Sequence, residues 1–343
     1  MKFFLIITFL FCSFISVAQV GVNTMTPDPS AALEISGIEG GFLLARMTTL
    51  ERDAVNVSTL SKGLIIYNLD KNVLNIFDGI VWHAIVNVNT ATICTTETTY
   101  AGLLSCLQSN YTPAGTLGYA TARDVMYGSI DMNPINLELK GIYTDFTIIM
   151  DYSTDPDASI HAFNLGINAE HAYPQSMGAN EEPNRSDMHS LFPAKDNVNS
   201  SRNNCPFGEI DDADADSWYV LNTELNSIPS TNIDDYSEKD NDAIFPLLDA
   251  SQQCSFEPRE SKKGDVARAV FYFYTIYNNT NVNTYAAYAN DNFFNSMKNT
   301  LILWHIQDPV DQDEIDRNVK VKAQQGNDNP FILDQSLVLR LFN

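Results

Sequence analysis

The cysteines restrict the fold of this 343-residue chain more than any other feature. One of the five, Cys12, lies in the opening run "MKFFLIITFLFCSFISVAQV", where a lysine precedes an apolar stretch that ends with Ser16 and Ala18 at the small-residue positions a signal peptidase reads. The run is shorter than the roughly 20 residues a bilayer span needs, and it has no basic flank. Residues 1–18 are therefore expected to be a signal peptide cleaved near Ala18, with the mature chain extracellular or periplasmic. That leaves Cys94, Cys106, Cys205 and Cys254, an even number in a chain bound for an oxidising compartment, so two disulfides are expected. Three connectivities are possible. Proximity favours Cys94 with Cys106, which leaves Cys205 with Cys254. No CxxC spacing supports a zinc site instead.

Residues 19–90 read as a small β-rich module. "GLIIYNLDKNVLNIFDGIVWH" alternates β-branched and aromatic residues and is punctuated by "LDKN" and "DG" turns. The Thr-rich stretch "NVNTATICTTETT" places a junction near residue 90, and residues 92–343 follow as a mixed α and β domain. No later segment is long and apolar enough to span a membrane.

The formal charge of −23 argues against a polyanion partner, since phosphate binding is driven by lysine and arginine. The charge is unevenly placed. Residues 209–250 carry twelve Asp and Glu against Lys239 alone, a net −11, which leaves −12 elsewhere. A solvated surface loop is expected there, and a local basic site remains compatible with the rest.

Two helices bear on function. In "PAKDNVNSSRNN", Pro193 suits a helix entry, and Asn199, Arg202 and Asn203 then share a face at i, i+3 and i+4. In "SKKGDVARAVFYFYTIY", Val266, Ala269, Val270, Phe273 and Tyr277 form a core-facing stripe. Lys262 and Lys263 gather at that helix's N-terminus against the helix dipole, which an anion bound there would explain.

Hydrolysing a phosphodiester needs a base for the attacking water, a cation for the phosphoryl and leaving oxygens, and a donor to hold the phosphate. "INAEHAYPQS" sets Glu170 beside His171. A neutral His171 suits the base, Glu170 and Asn199 are hard oxygen ligands for Mg²⁺ or Ca²⁺, and Arg202 offers a guanidinium fork. A strand and loop bearing the histidine, followed by a short helix bearing the asparagine, is the plan of a ββα-metal finger.

"NAEHAYPQS", "SDMHSLFPAKDNVNSSRNNCPFGEI", "FEPRESKKGDVARAVFYFYTIY", "LILWHIQDPVDQDEIDRN" and "QGNDNPFI", led in by "LGYATARDVMYGSID", resemble in this order the motifs of the endonuclease I family of exported bacterial nucleases. The resemblance covers most of residues 95–335. It implies an α+β fold in which a ββα-metal (His-Me) finger is embedded in a helix-rich nuclease domain. It also implies His171 as general base, and Glu170 and Asn199 as ligands of one divalent ion, Mg²⁺ or else Ca²⁺ or Mn²⁺. The implied reaction is cleavage of DNA, with RNA a second substrate, to 5′-phosphate products. The family's phosphate-holding arginine lies in a segment where this chain has only Arg185, a weaker nucleic-acid contact; Arg202 is the arginine expected to act with His171 in catalysis.

Lys262, Lys263 and Arg268 are weaker candidates for nucleic-acid contact. His189 and His305, each among apolar residues, read as structural. Asp187 reads as an organiser of the finger backbone. Arg317, Asn318, Asn327 and Asn329 suit polar packing as well as DNA contact.

The pieces "VGVNTMTPDPSAALEIS", "GFLLARMTT" and "GLIIYN" resemble a segment near the N-termini of many exported Bacteroidota and fibre-like surface proteins, which implies self-association or surface attachment. The alternative function is accordingly a surface adhesion or fibre-type binding protein with a catalytically silent nuclease-like domain. A hydrolase of another phosphoester is a third reading.

Overall fold

The structure is a computed structural model that describes residues 20–24, 26, 30–36, 42–70, 73–77, 79, 82–85, 93–151, 155–278 and 291–342. The expected signal peptide and the expected junction near residue 90 lie outside the described residues. The chain divides into two units, Met1–Trp82 and His83–Asn343.

The first unit is built of short strands. β1 (Val20–Val22) pairs in parallel with β2 (Leu33–Ile35). β3 (Arg46–Met47) leads into helix α1 (Thr49–Asp53), which is closed by a Thr48–Glu51 capping box. β4 (Ile65–Asn68) and β5 (Val73–Phe77) are antiparallel with Asn68 opposite Val73, so "LDKN" joins them as expected. β6 (Trp82–Ile85) completes the sheet order β3-β4-β5-β6. Ile66 and Phe77 are buried, but Val20, Val22, Leu33, Ile35, Phe42 and Leu60 stay exposed.

The second unit is mixed α and β. α2 (Tyr100–Tyr111) starts on a Thr99 cap and buries Leu103 and Leu107. α3 (Tyr119–Val125) runs on into a π-turn, and the strands β7 (Glu138–Lys140) and β8 (Thr147–Ile149) form a hairpin. α4 (Ala158–Asn164) precedes β9 (Ile167–His171), which pairs antiparallel with β10 (Leu191–Lys195) across the long connection 172–190. α5 (Asp196–Arg202) follows directly. Pro193 therefore lies inside β10, opposite Ala169, and not at a helix entry. A proline is tolerated there because a two-stranded sheet leaves one side of each strand without a ladder partner.

The acidic segment is a solvated surface loop in most of its length, as expected, but three short strands interrupt it. β11 (Ser217–Val220), β12 (Thr223–Leu225) and β13 (Ser237–Asp240) join β14 (Ser255–Glu257) in an antiparallel sheet of order β12-β11-β13-β14. Trp218 and Tyr219 anchor it to the interior. Its acids divide: Asp211, Asp212 and Asp214 are exposed, whereas Glu238 is buried and faces Glu257 across the ladder. Burial, then the repulsion of Glu257, lifts Glu238 from the ordinary 4.5 to about 8. Burial lifts Glu257 to about 7 against the pull of Lys263. A carboxyl whose folded value is raised favours folding while it is protonated, and that contribution is lost as pH climbs from the unfolded value through the folded one. The melting temperature should fall between pH 5 and pH 9. Glu238→Gln should flatten that fall, and an unchanged pH profile of thermal unfolding in the variant would count against the buried pair.

The centre of the unit is α6 (Lys263–Tyr277), packed against α7 (Asp291–Gln307). An apolar stripe is expected on α6, yet it is buried nearly all round, because α2 and α9 (Pro330–Leu333) cover its remaining faces. Tyr173 stacks on Phe273 at 4.5 Å, tying the loop after β9 to this helix. α8 (Gln312–Gln325) and α10 (Leu337–Phe342) complete the chain. The disulfides are Cys94–Cys106 and Cys205–Cys254, the pairing proximity favours. The second ties the chain just after α5 to the start of β14, closing the stretch that carries β11, β12 and β13. Among the described residues no helix is long and apolar enough to cross a membrane.

Candidate active site

The β9–β10–α5 unit gathers the site. Glu170 and His171 end β9, and the loop that follows is held by Asp187, which accepts hydrogen bonds from Tyr272 and Tyr277 of α6 at 2.6 Å and from Gln325 of α8 at 2.7 Å. Asn199, on α5, donates through Nδ2 to Asn168 Oδ1 at 2.6 Å and to the Ala169 carbonyl at 3.1 Å. Its amide is thereby fixed against β9, and among the described residues its Oδ1 has no hydrogen-bond partner.

Glu170 is 2 % exposed. Its Oε1 accepts from Tyr143 at 2.7 Å and faces Arg202 Nη1 at 3.1 Å, while among the described residues its Oε2 has no hydrogen-bond partner. Burial raises its pKa, and Arg202 and Tyr143 pull the other way. The donor set fits a hard divalent cation: two oxygens from adjacent elements, neither with a hydrogen-bond partner among the described residues, one of them on a carboxylate.

His171 donates through Nε2 to the Arg185 carbonyl at 2.9 Å, which leaves Nδ1 as the basic atom. Gln175 Nε2 lies 3.4 Å from Nδ1. Burial, reinforced by the charges of Arg185 and Arg202, lowers the pKa of His171 to about 4, so the ring is neutral at pH 7. The Tyr119 ring stacks on the imidazole, centroids 5.5 Å apart. Tyr119 opens α3 at a Gly118 cap with φ +77°, and the Glu182 carboxylate accepts its backbone N–H at 3.0 Å. A residue with a Cβ is disfavoured at that dihedral, so the "LGY" glycine sets the ring's position.

The Endonuclease I family model matches residues 96–336. The chain belongs to the endonuclease I family. A phage tail-like trimerisation region matches residues 21–100. An extracellular ribonuclease of Bacillus subtilis is 31% identical over 202 residues, covering 54% of this chain and 58% of that relative. The chain thus spans less than two thirds of the relative's length.

Of the residues expected at an endonuclease I site, the structure brings together Glu170, His171, Asn199, Arg202 and Arg185, but it gives Arg202 a different position. Arg202 is 1 % exposed. Besides Glu170 it donates to the carbonyls of His171 at 3.1 Å and Ala172 at 3.0 Å, and it lies over Phe207. It braces the strand end from within, whereas Arg185 has no side-chain hydrogen bond or ion pair among the described residues. Asn203, expected on the same face, lies past the helix end at φ +51°.

Lys262, Lys263 and Arg268 are corrected as nucleic-acid contacts. Lys262 pairs with Asp265 at 2.7 Å. Lys263 is buried among Glu209 at 3.0 Å, Glu257 at 2.7 Å and Glu260 at 2.5 Å. Arg268 is buried against Glu314 and donates to the Asp308 carbonyl at 2.7 Å. The anion that lysines at a helix N-terminus call for is supplied by the chain's own carboxylates. Gly264 belongs to the same device, since a Cβ there would stand 1.9 Å from the Asp308 oxygen.

His189 and His305 are structural, bonded to the carbonyls of Asn327 and Gln335. Arg317 is held by Asp131 and by the Met188 and Leu191 carbonyls. Asn318 bonds Asp328, Asn327 bonds Tyr272, and Asn329 caps α9, so all three pack internally. Tyr119, Arg123 and Tyr143 are site neighbours that sequence reading did not single out. The i, i+4 spacing of Tyr119 and Arg123 in "YATAR" is the signal that marks the first two.

Proposed function

We propose that the C-terminal unit is an exported, metal-dependent, largely sequence-nonspecific endonuclease that hydrolyses phosphodiesters in DNA and RNA to 5′-phosphate products. One observation carries this reading: a neutral histidine, whose basic Nδ1 meets the Gln175 amide only at 3.4 Å, adjoins two hard oxygen donors that have no hydrogen-bond partner among the described residues. In these terms β9, β10 and α5 are the two strands and helix of a ββα-metal, or His-Me, finger. Glu170 and Asn199 hold one divalent cation, Mg²⁺ in the first instance and Ca²⁺ or Mn²⁺ as alternatives. When bound, the ion neutralises charge on the phosphoryl and departing 3′ oxygens.

His171 Nδ1 takes the proton of the attacking water, while the Arg185 carbonyl keeps the ring in the required tautomer. Arg202 fixes Glu170, and the Arg185 guanidinium holds the phosphate. The name of the Bacillus relative supports RNA as a substrate beside DNA, and the two disulfides support export. Digestion of plasmid DNA and of RNA by the mature chain should stop in EDTA and resume with excess Mg²⁺. Undiminished cutting in EDTA would remove the metal from the scheme, and no cutting of either polymer would favour a binding protein with a silent domain.

For the N-terminal unit we propose self-association into trimers through the apolar side chains it leaves exposed. Phe42 and Leu60, 67% and 94% exposed, are the clearest of these, and the trimerisation-region match supports the stoichiometry. Light scattering of the mature chain should give three times the chain mass, with Phe42→Glu/Leu60→Glu dissociating it. A monomeric wild type would refute the assembly.

A further inference from the structure

Arg123 stands out by what it lacks. The seven arginines of residues 83–343 comprise five with carboxylate partners, namely Arg202, Arg259, Arg268, Arg317 and Arg340. The other two, Arg123 and Arg185, make no side-chain hydrogen bond or ion pair among the described residues, and the Nε of each is buried without a partner. Acidic residues outnumber basic ones 43 to 20 in this chain, so two guanidinium groups without a carboxylate are conspicuous. Both occupy the ring of Tyr119, Arg185 at 4.2 Å and Arg123 at 4.7 Å from its centroid, and that ring stacks on His171. Two cations on one ring repel each other, and among the described residues neither has a carboxylate partner to offset that repulsion. A dianionic stretch of substrate backbone would offset it.

We propose that Arg123 is a second phosphate ligand of the site, which takes the phosphate next to the scissile one on the same strand while Arg185 takes the scissile phosphate. Arg185 is the inner of the two because its own carbonyl holds His171, whereas Arg123 reaches the histidine only through the Tyr119 ring. Tyr119 is then a platform that sets both guanidinium groups, by cation–π contact, at a fixed offset from the base. Efficient cleavage therefore requires a phosphate flanking the cut, which makes the enzyme act within chains in preference to a dinucleotide.

This inference rests on the nuclease reading, and its test separates the two. Cleavage of a short oligonucleotide is followed in wild type, Arg123→Ala and Arg123→Lys across a salt series, with thermal unfolding recorded for each. A contact that binds substrate and transition state alike raises KM and leaves kcat nearly unchanged. Arg123→Ala should raise KM about tenfold or more, with Arg123→Lys in between. The slope of log(kcat/KM) against log[salt] should become shallower in Arg123→Ala by about 0.7–0.9, the value of one phosphate contact.

A neutral methylphosphonate at the linkage beside the cut should lower wild-type kcat/KM by a similar factor and leave Arg123→Ala unaffected. This last comparison remains decisive if the alanine variant is unstable, because Arg123→Lys and wild type can then be compared on both substrates. Equal salt slopes and equal losses from the methylphosphonate in wild type and variants would overturn the role of Arg123. A wild type that cuts no oligonucleotide would overturn the nuclease reading instead.

Discussion

Arg202→Ala should destabilise the C-terminal unit by about 3–5 kcal/mol, the usual cost of removing one partner from a buried ion pair. Glu170 would keep the Tyr143 hydroxyl but lose the guanidinium 3.1 Å away. The carbonyls of His171 and Ala172 would lose their donor in the same step. Both effects act on residues that end β9, so the base and the carboxylate would loosen together. The double variant Arg202→Met/Glu170→Gln should recover part of the loss, because replacing both charges removes the unpaired one. Urea unfolding of the three variants measures this. An arginine whose task is to grip substrate would behave in the opposite way, leaving stability intact and raising KM, and that outcome would return Arg202 to the substrate side.

The contrast between Arg202 and Arg185 shows how far the sequence alone reaches. Residue type and spacing suggest Glu170, His171, Asn199 and Arg202 as one chemical set, and the resemblance to the endonuclease I motifs adds Arg185. Spacing cannot say which arginine faces inward. That depends on α5 ending at Arg202, directly beneath the β9 strand end, a tertiary fact. Pro193 fails as a helix-entry signal for a related reason: the strand pairing of β10 with β9 extends through Lys195, and helix α5 starts one residue later.

Lys262 and Lys263 are a case of a correct question with a mostly local answer. Lysines at a helix N-terminus do need anions, and Asp265, Glu260 and Glu257 supply them from the same stretch of chain, while Glu209 alone comes from a distant segment. The acidic segment 209–250 reads as solvated because its composition is polar, and most of its acids are exposed, but Trp218 and Tyr219 also anchor part of it as a sheet against the interior. The disulfide pairing was legible because so few cysteines leave little choice. Tyr119 and Arg123 were legible in principle, lying one helical turn apart, but nothing in that segment reveals that it comes to rest on His171.

His171→Ala should lower the cleavage rate by about 10²–10⁴, the range of a positioned general base. The loss should fall on kcat, because the groups proposed to hold the phosphate and the cation, Arg185, Glu170 and Asn199, are untouched. The fold should survive, since the ring's one strong bond is to the Arg185 carbonyl and the loop around it is held independently by Asp187. The most direct measurement is a time course of plasmid nicking by wild type and His171→Ala at equal concentration in Mg²⁺, with near-ultraviolet circular dichroism of both. A variant with a native spectrum and a rate lower by about two orders of magnitude or more is the expected result. A native variant that nicks plasmid at the wild-type rate would contradict the assignment of His171 as the base.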